Sequence, residues 1–362
     1  MKHIKEYRDT RLSRGIIEQI HAVSGRPVRI MEVCGTHTVS IFRNGIRTVL
    51  PDTVSLISGP GCPVCVTAQQ EIDAAISLAA ETGAIIATFG DLLRVPGSRS
   101  SLQREQAGGN DIRIVYSTFD ALSIARDNPD KTVVFIGIGF ETTAPTIAAS
   151  VLAAENSGIE NYCVLCAHKL MPPALEALMS EGDPGIDGFL LPGHVSVIIG
   201  ARAYAAFFEK YRIPCVIAGF EPVDILEAVH ELAAMIESGR PRLENGYRRA
   251  VTEAGNTEAQ DVMYRVFEPC DAWWRGIGRI PASGLKLKSA YAAFDARRRF
   301  RIAPPAAPPP GGCICGEILT GRKSPPDCPL YKKRCTPSEP VGPCMVSSEG
   351  TCAAFYKYHN GS

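Results

Sequence analysis

The chain has no surplus of charge of either sign: 38 lysines and arginines stand against 38 aspartates and glutamates in 362 residues. A nucleic-acid binder needs a cationic surface to displace counterions, so this balance argues against DNA or RNA as a partner. There is no uncharged apolar run of about 18 residues, and so no segment fit to span a bilayer. The N-terminal segment Met1–Gly25 mixes charges with Ile16, Ile17 and Ile20 at helical spacing. It lacks the apolar stretch and small-residue cleavage site of a secretion signal. A cytosolic protein is expected. A phosphate-cradling loop is missing as well, since Gly59-Pro60-Gly61 has no Walker lysine after it. What remains is ordinary globular composition, 45% hydrophobic and 21% charged, at a length that suits two or three domains.

Against this plain background stand thirteen cysteines. In a reducing compartment they read as metal ligands or redox thiols before structural staples. Six of them fall between Cys313 and Cys352.

From Val28 onward, short β-branched runs end in glycine or a polar motif and give way to helical sequence. The runs are Val28–Val33, Val54–Ile57, Ala84–Thr88, Ile112–Tyr116, Thr132–Ile136, Tyr162–Leu165, Gly188–Leu191 and Cys215–Ile217. This alternation predicts an α/β fold with parallel strands and crossover helices. Polar breaks at Ser98–Asp111 and Asp127–Lys131 divide it into two open parallel-sheet units, 26–128 and 129–239, facing a central cleft. Residues 240–362 read as a helical segment, with Trp273 and Trp274 as packing anchors, followed by a cysteine-rich domain. The N-terminal helix of residues 1–25 is expected against that third part. Ala303–Gly312, with five prolines, reads as a stiff connector.

The distinctive residues follow the strand runs: Cys34-Gly35-Thr36-His37-Thr38, Gly59-Pro60-Gly61-Cys62-Pro63-Val64-Cys65, Gly139-Phe140-Glu141-Thr142-Thr143, Pro192-Gly193-His194 and Gly219-Phe220-Glu221-Pro222. Ligands of open α/β sheets bind beyond the carboxyl ends of strands, so these loops define the expected site. Cys62 and Cys65 form a C-x2-C at a strand-to-helix junction, where a helix dipole favours thiolate. Cys34 with His37 fits either a nucleophile dyad or half of an iron site, and equally a buried pair. Glu141 is an acid, base or hydrogen-bond anchor, or a helix cap. His194 is a cleft residue or a loop histidine.

Cys163-x2-Cys166-x-His168 imitates a metal motif, yet cysteines three apart on a strand point to opposite sides and read as structural. The tail runs Cys313-x1-Cys315-x12-Cys328-x6-Cys335-x8-Cys344-x7-Cys352. With little apolar periodicity it needs a staple, and a [4Fe-4S] cluster, a zinc ion and plain buried thiols all remain open.

Taken together, the Cys34, Gly59–Cys65 and Gly139–Pro145 motifs and the tail Gly342–Gly350 resemble the HypD family of [NiFe]-hydrogenase maturation factors, from about Met31 to Cys352. The resemblance implies a redox-active assembly scaffold for the Fe(CN)2(CO) unit rather than a conventional turnover enzyme. It implies iron held between Cys34 and the N-terminal cysteine of a HypC-like small chaperone, and cyanide delivered by a HypE-like partner. The family's C-x14-C-x6-C-x16-C pattern falls on Cys313, Cys328, Cys335 and Cys352, implying a [4Fe-4S] cluster there. Cys315 and Cys344 are left as an implied redox pair. A freestanding iron–sulfur thiol–disulfide oxidoreductase is the alternative, and a zinc-stabilised binding module a more distant one.

Overall fold

The computed structural model describes residues 9–180, 185–302 and 311–359. Each of the eight apolar runs forms a strand: β1 (Val28–Glu32), β2 (Val54–Ser58), β3 (Ile85–Thr88), β4 (Ile112–Ile114), β5 (Val133–Gly137), β6 (Tyr162–Cys166), β7 (Gly188–Leu191) and β8 (Cys215–Ile217). A ninth, β9 (Leu243–Asn245), follows, and β10 (Phe267–Trp274) and β11 (Gly278–Leu287) make an antiparallel hairpin. β3 and β5 are buried along their whole length, as strands covered by helices on both faces must be.

The strands pair in parallel as two sheets, ordered β2-β1-β7-β8-β9 and β4-β3-β5-β6. The α/β class with two open parallel sheets is therefore as expected, but the division at residues 128 and 129 is not. The chain leaves the first sheet after β2, builds the entire second sheet, and returns at β7. Ile30 lies opposite Gly188 across this return. The apolar runs specify strands, whereas their partners are set by non-local packing that no local polar break reports.

Two further expectations for the C-terminal third fail. Beyond Gly239 the sequence is not only helical: Pro269, Pro281 and the hairpin glycines disguise β10 and β11. Trp274 is buried there, while Trp273 is half exposed. The N-terminal helix Thr10–Val23 packs on helix Pro222–Ser238, not on the cysteine-rich tail. Glu237 Oε1 accepts the backbone N–H groups of Gly25 and Arg26, at 2.8 and 2.9 Å, and fixes that junction. The proline connector lies largely outside the described residues. No described helix is long and apolar enough to cross a membrane.

In each sheet the strand order reverses direction once, between β1 and β7 in the first and between β3 and β5 in the second. Such switch points open a crevice at the carboxyl ends of the strands. The loop after β1 carries Cys34, the short helix Gly90–Leu93 after β3 carries Asp91, and the loop after β5 carries Glu141.

Candidate functional site

Cys34 follows β1 and takes extended angles, φ −146° and ψ 120°, as the residue before helix Gly35–Arg43. It is buried. Burial pushes its thiol up to about 12, while the N–H groups of His37 and Thr36 at the helix start act against that and Glu349 adds to it.

The loop after β2 lies directly against it. A Cβ at Gly61 would stand 2.2 Å from the Cys34 nitrogen and 2.4 Å from its Cα, so only glycine allows this approach. The Gly35 N–H donates to Gly61 O at 3.0 Å, and the Gly59 N–H to Glu32 O at 2.7 Å. The next residues, Cys62 and Cys65, are joined by a disulfide. Both are buried, with Pro63 at the first position of the short helix between them. The structure thus brings Cys34, Cys62 and Cys65 together.

His37 is wholly buried. Its Nε2 donates to Gly219 O at 2.8 Å, and Nδ1 has no partner. Burial lowers it to about 4, so the ring is neutral near pH 7. His194 is exposed and stacks on Phe220 at 4.0 Å, and His37 packs on the same ring at 4.8 Å. These two histidines share an aromatic neighbour, but His194 stands on the rim.

Glu141 is buried in the second unit. Its Oε1 accepts the Met171 N–H at 2.8 Å, Oε2 has no partner, and burial raises the carboxyl to about 7. Between the units stands Tyr204, whose hydroxyl shares a hydrogen bond with Ser196 at 3.1 Å and lies within electrostatic reach of both Glu141 and Cys34. Trp274 makes the second bridge: it stacks on Phe140 at 6.0 Å and pairs with Thr67 beyond the disulfide helix.

The tail closes over both units. Thr36 Oγ1 donates to Glu349 Oε1 at 2.7 Å, and Ser347 Oγ donates to Asp91 Oδ2 at 3.4 Å. The short helices Cys315–Leu319 and Pro343–Val346 pack on helix Pro63–Val66. Behind them the thiols gather. Cys313 and Cys315 sulfurs are 3.3 Å apart. The neighbouring Cys315 and Cys344 thiols hold the Cys352 thiol below its ordinary value. Cys335 Sγ accepts the Val341 N–H at 3.4 Å, and Cys328 is buried in the same core.

Among the described residues no three side chains already stand as metal ligands. The donor set is nonetheless all sulfur, with Cys328, Cys335 and Cys352 buried and Cys313 half-buried in one hydrophobic core, and soft thiolates suit an iron–sulfur cluster. Cys163 and Cys166, in contrast, pack into different hydrophobic clusters on opposite sides of β6, as their spacing requires.

Known proteins resemble this chain along nearly its whole length. The HypD family model, described as "Hydrogenase formation hypA family", matches residues 11–359. The chain belongs to the HypD family of hydrogenase maturation factors. It is 46% identical over 368 residues to hydrogenase maturation factor HypD of Rhizobium leguminosarum, covering 99% of this chain and 96% of that one. Against HypD of Cupriavidus necator the identity is 45%, covering 99% and 97%, and against that of Escherichia coli 44%, covering 99% and 98%.

Three residues beside the site of this family member escape sequence reasoning. Glu32, inside β1, accepts from Thr38 Oγ1 at 2.5 Å and from the Cys34 N–H at 3.2 Å, and burial raises it to about 7. Its place at the carboxyl end of β1, two residues before Cys34, is the available signal. Glu349 and Arg275 owe their places to the fold of the tail and hairpin, and no local pattern marks them.

Proposed function

We propose that this HypD-family protein is the scaffold on which the Fe(CN)2(CO) unit of a [NiFe]-hydrogenase is assembled. The cargo iron binds the Cys34 thiolate on one side and the N-terminal cysteine of a HypC-like chaperone on the other. A HypE-like partner supplies cyanide as a thiocyanate on its own cysteine. Low-spin iron(II) carrying cyanide and CO favours a soft thiolate over an oxygen ligand.

The observation that carries this reading is the glycine-only contact of Gly61 with Cys34, which sets the Cys62–Cys65 disulfide beside the Cys34 thiol. Release of each cyanide from a thiocyanate sulfur consumes two electrons, so a two-electron carrier belongs next to the iron. Cys313, Cys328, Cys335 and Cys352 would hold a [4Fe-4S] cluster. Such a cluster supplies electrons one at a time. A disulfide between Cys315 and Cys344 would take up two such electrons with two protons to give a dithiol, and that dithiol would reduce the Cys62–Cys65 disulfide by thiol–disulfide exchange, closing its own S–S bond again.

The protein then acts as a redox-active scaffold in the cytosol. Infrared spectroscopy of the anaerobically co-purified complex with the small chaperone tests the reading. Cyanide and CO bands with stoichiometric extra iron are expected. Their absence, together with catalytic turnover of a disulfide substrate, would favour the oxidoreductase.

A further inference from the structure

Between Cys328 and Cys335 the tail makes one tight loop, Pro329-Leu330-Tyr331-Lys332-Lys333-Arg334. The Leu330 carbonyl accepts three successive backbone N–H groups, from Lys333 and Arg334 at 3.1 Å each and from Cys335 at 2.8 Å. Lys332 takes the left-handed position in this turn, φ +57°, where glycine is the ordinary choice. Closed on one carbonyl, the loop keeps Tyr331 and both cysteines inside and leaves Lys332, Lys333 and Arg334 exposed.

Three cations in a row are ordinarily a solvated face, and two observations set this run apart. First, none of the three forms an ion pair among the described residues. Lys210, Arg279 and Lys286, also exposed, each meet a carboxylate, at 2.6, 2.9 and 3.1 Å. Within the tail, Asp327 is engaged by the Ser324 N–H and hydroxyl at 2.8 Å each, and Glu349 turns to Thr36. In a chain of zero net charge the run is a local positive surface.

Second, that surface is tied to the thiol cluster beneath it. Lys332 Nζ lies 5.7 Å from the Tyr331 ring centroid and 5.9 Å from that of Tyr356, within cation–π range of both. Tyr356 stands one turn beyond Cys352 on helix Thr351–Tyr358, and the two tyrosine rings meet edge-on at 6.2 Å. Cations and rings together border Cys328, Cys335 and Cys352.

We propose that the Lys332-Lys333-Arg334 loop is the docking surface for an acidic one-electron carrier protein that reduces the tail cluster. The inference rests on the reading of the tail cysteines as cluster ligands. In each encounter the reduced carrier is oxidised by one electron and the oxidised cluster is reduced by one, with no bond formed or broken. Two encounters supply the two electrons that open one disulfide, whose two protons come from solvent. Electron-transfer encounters bury little area and separate quickly, so charge selects the partner more than shape does. Cations with no carboxylate of their own chain to satisfy them are free to meet those of a partner.

The test uses the full-length protein, cluster-loaded and anaerobic at pH 7, with a plant-type [2Fe–2S] ferredoxin as the acidic carrier and cytochrome c as a cationic one. Isothermal titration calorimetry should show ferredoxin binding at low salt that weakens as salt rises, and no binding of cytochrome c. The combined variant Lys332→Asn, Lys333→Gln, Arg334→Gln keeps a residue tolerant of the left-handed turn. It should bind ferredoxin about tenfold more weakly, with unchanged iron and sulfide content. Bleaching of its cluster absorbance by pre-reduced ferredoxin, followed by stopped flow, should slow by a similar factor. Arg126→Gln, Lys131→Gln, Arg240→Gln removes the same charge elsewhere and should bind as wild type does. If the tail variant loses its cluster, Lys333→Gln, Arg334→Gln, which leaves the turn residue in place, replaces it.

Ferredoxin binding by the tail variant as tight as by wild type would overturn the proposal. So would a wild-type protein that binds both carriers alike or neither. Wild-type protein that binds the ferredoxin but holds zinc and no sulfide would defeat the cluster reading instead, and with it the electron-accepting role of this surface.

Discussion

Gly61 rests its bare Cα against the backbone of Cys34, so the C-x2-C loop and the Cys34 loop form one unit. A Cβ at Gly61 would stand 2.2 Å from the Cys34 nitrogen, and neither backbone can retreat without breaking the Gly35 N–H to Gly61 O bond. Gly61→Ala should lower stability by roughly 2–4 kcal/mol, as overpacking against a fixed backbone does. It should also reduce iron bound in the chaperone complex. Denaturant unfolding and iron counting check both; an alanine variant with wild-type stability would show that the two loops are not in contact.

Glu141 supplies a pH-dependent prediction. Burial holds its carboxyl at about 7 in the folded protein, against an ordinary value near 4.5. Between those values the folded state binds more protons than the unfolded state, so this group costs stability increasingly as pH rises through the window. Glu141→Gln stays neutral. Relative to wild type the variant should gain stability from pH 4.5 upward, reaching on the order of 2–3 kcal/mol at pH 8. Urea midpoints at pH 4 and pH 8 measure it. A difference that does not change with pH would place the carboxyl in a more solvated setting.

The strands were legible because each is a short β-branched run closed by glycine or a polar motif. Their partners were not: β2 and β7 flank β1 although the whole second sheet intervenes in sequence. Cys34, Cys62 and Cys65 were readable since strand ends are where open sheets bind ligands. Residues supplied by other parts of the chain were not. Glu349 meets Thr36 across 313 positions, and Arg275 meets Thr67 across 208. His194 follows β7 as the site residues follow their strands, yet its ring turns outward onto Phe220.

The cysteines separate by role. Cys335→Ala should abolish the brown iron–sulfur absorbance of anaerobically purified protein, and Cys328→Ala should do the same. Cys163→Ser should cost about 1–2 kcal/mol, since it buries a hydroxyl in β6, and leave the absorbance and maturation intact. Stoichiometric zinc without iron or sulfide in the wild-type protein would defeat the cluster assignment.

The central claim is that Cys34 holds the iron, and the most direct measurement is infrared spectroscopy of Cys34→Ala co-expressed with the small chaperone. Alanine fits the extended backbone before helix Gly35–Arg43, so the fold should persist. Serine should fail as alanine does, because a hard hydroxyl is a poor ligand for low-spin iron. The account predicts that the cyanide and CO bands vanish in both variants while the tail's iron–sulfur absorbance is unchanged. Full-intensity bands in Cys34→Ala would contradict it and move the iron to Cys62 or Cys65.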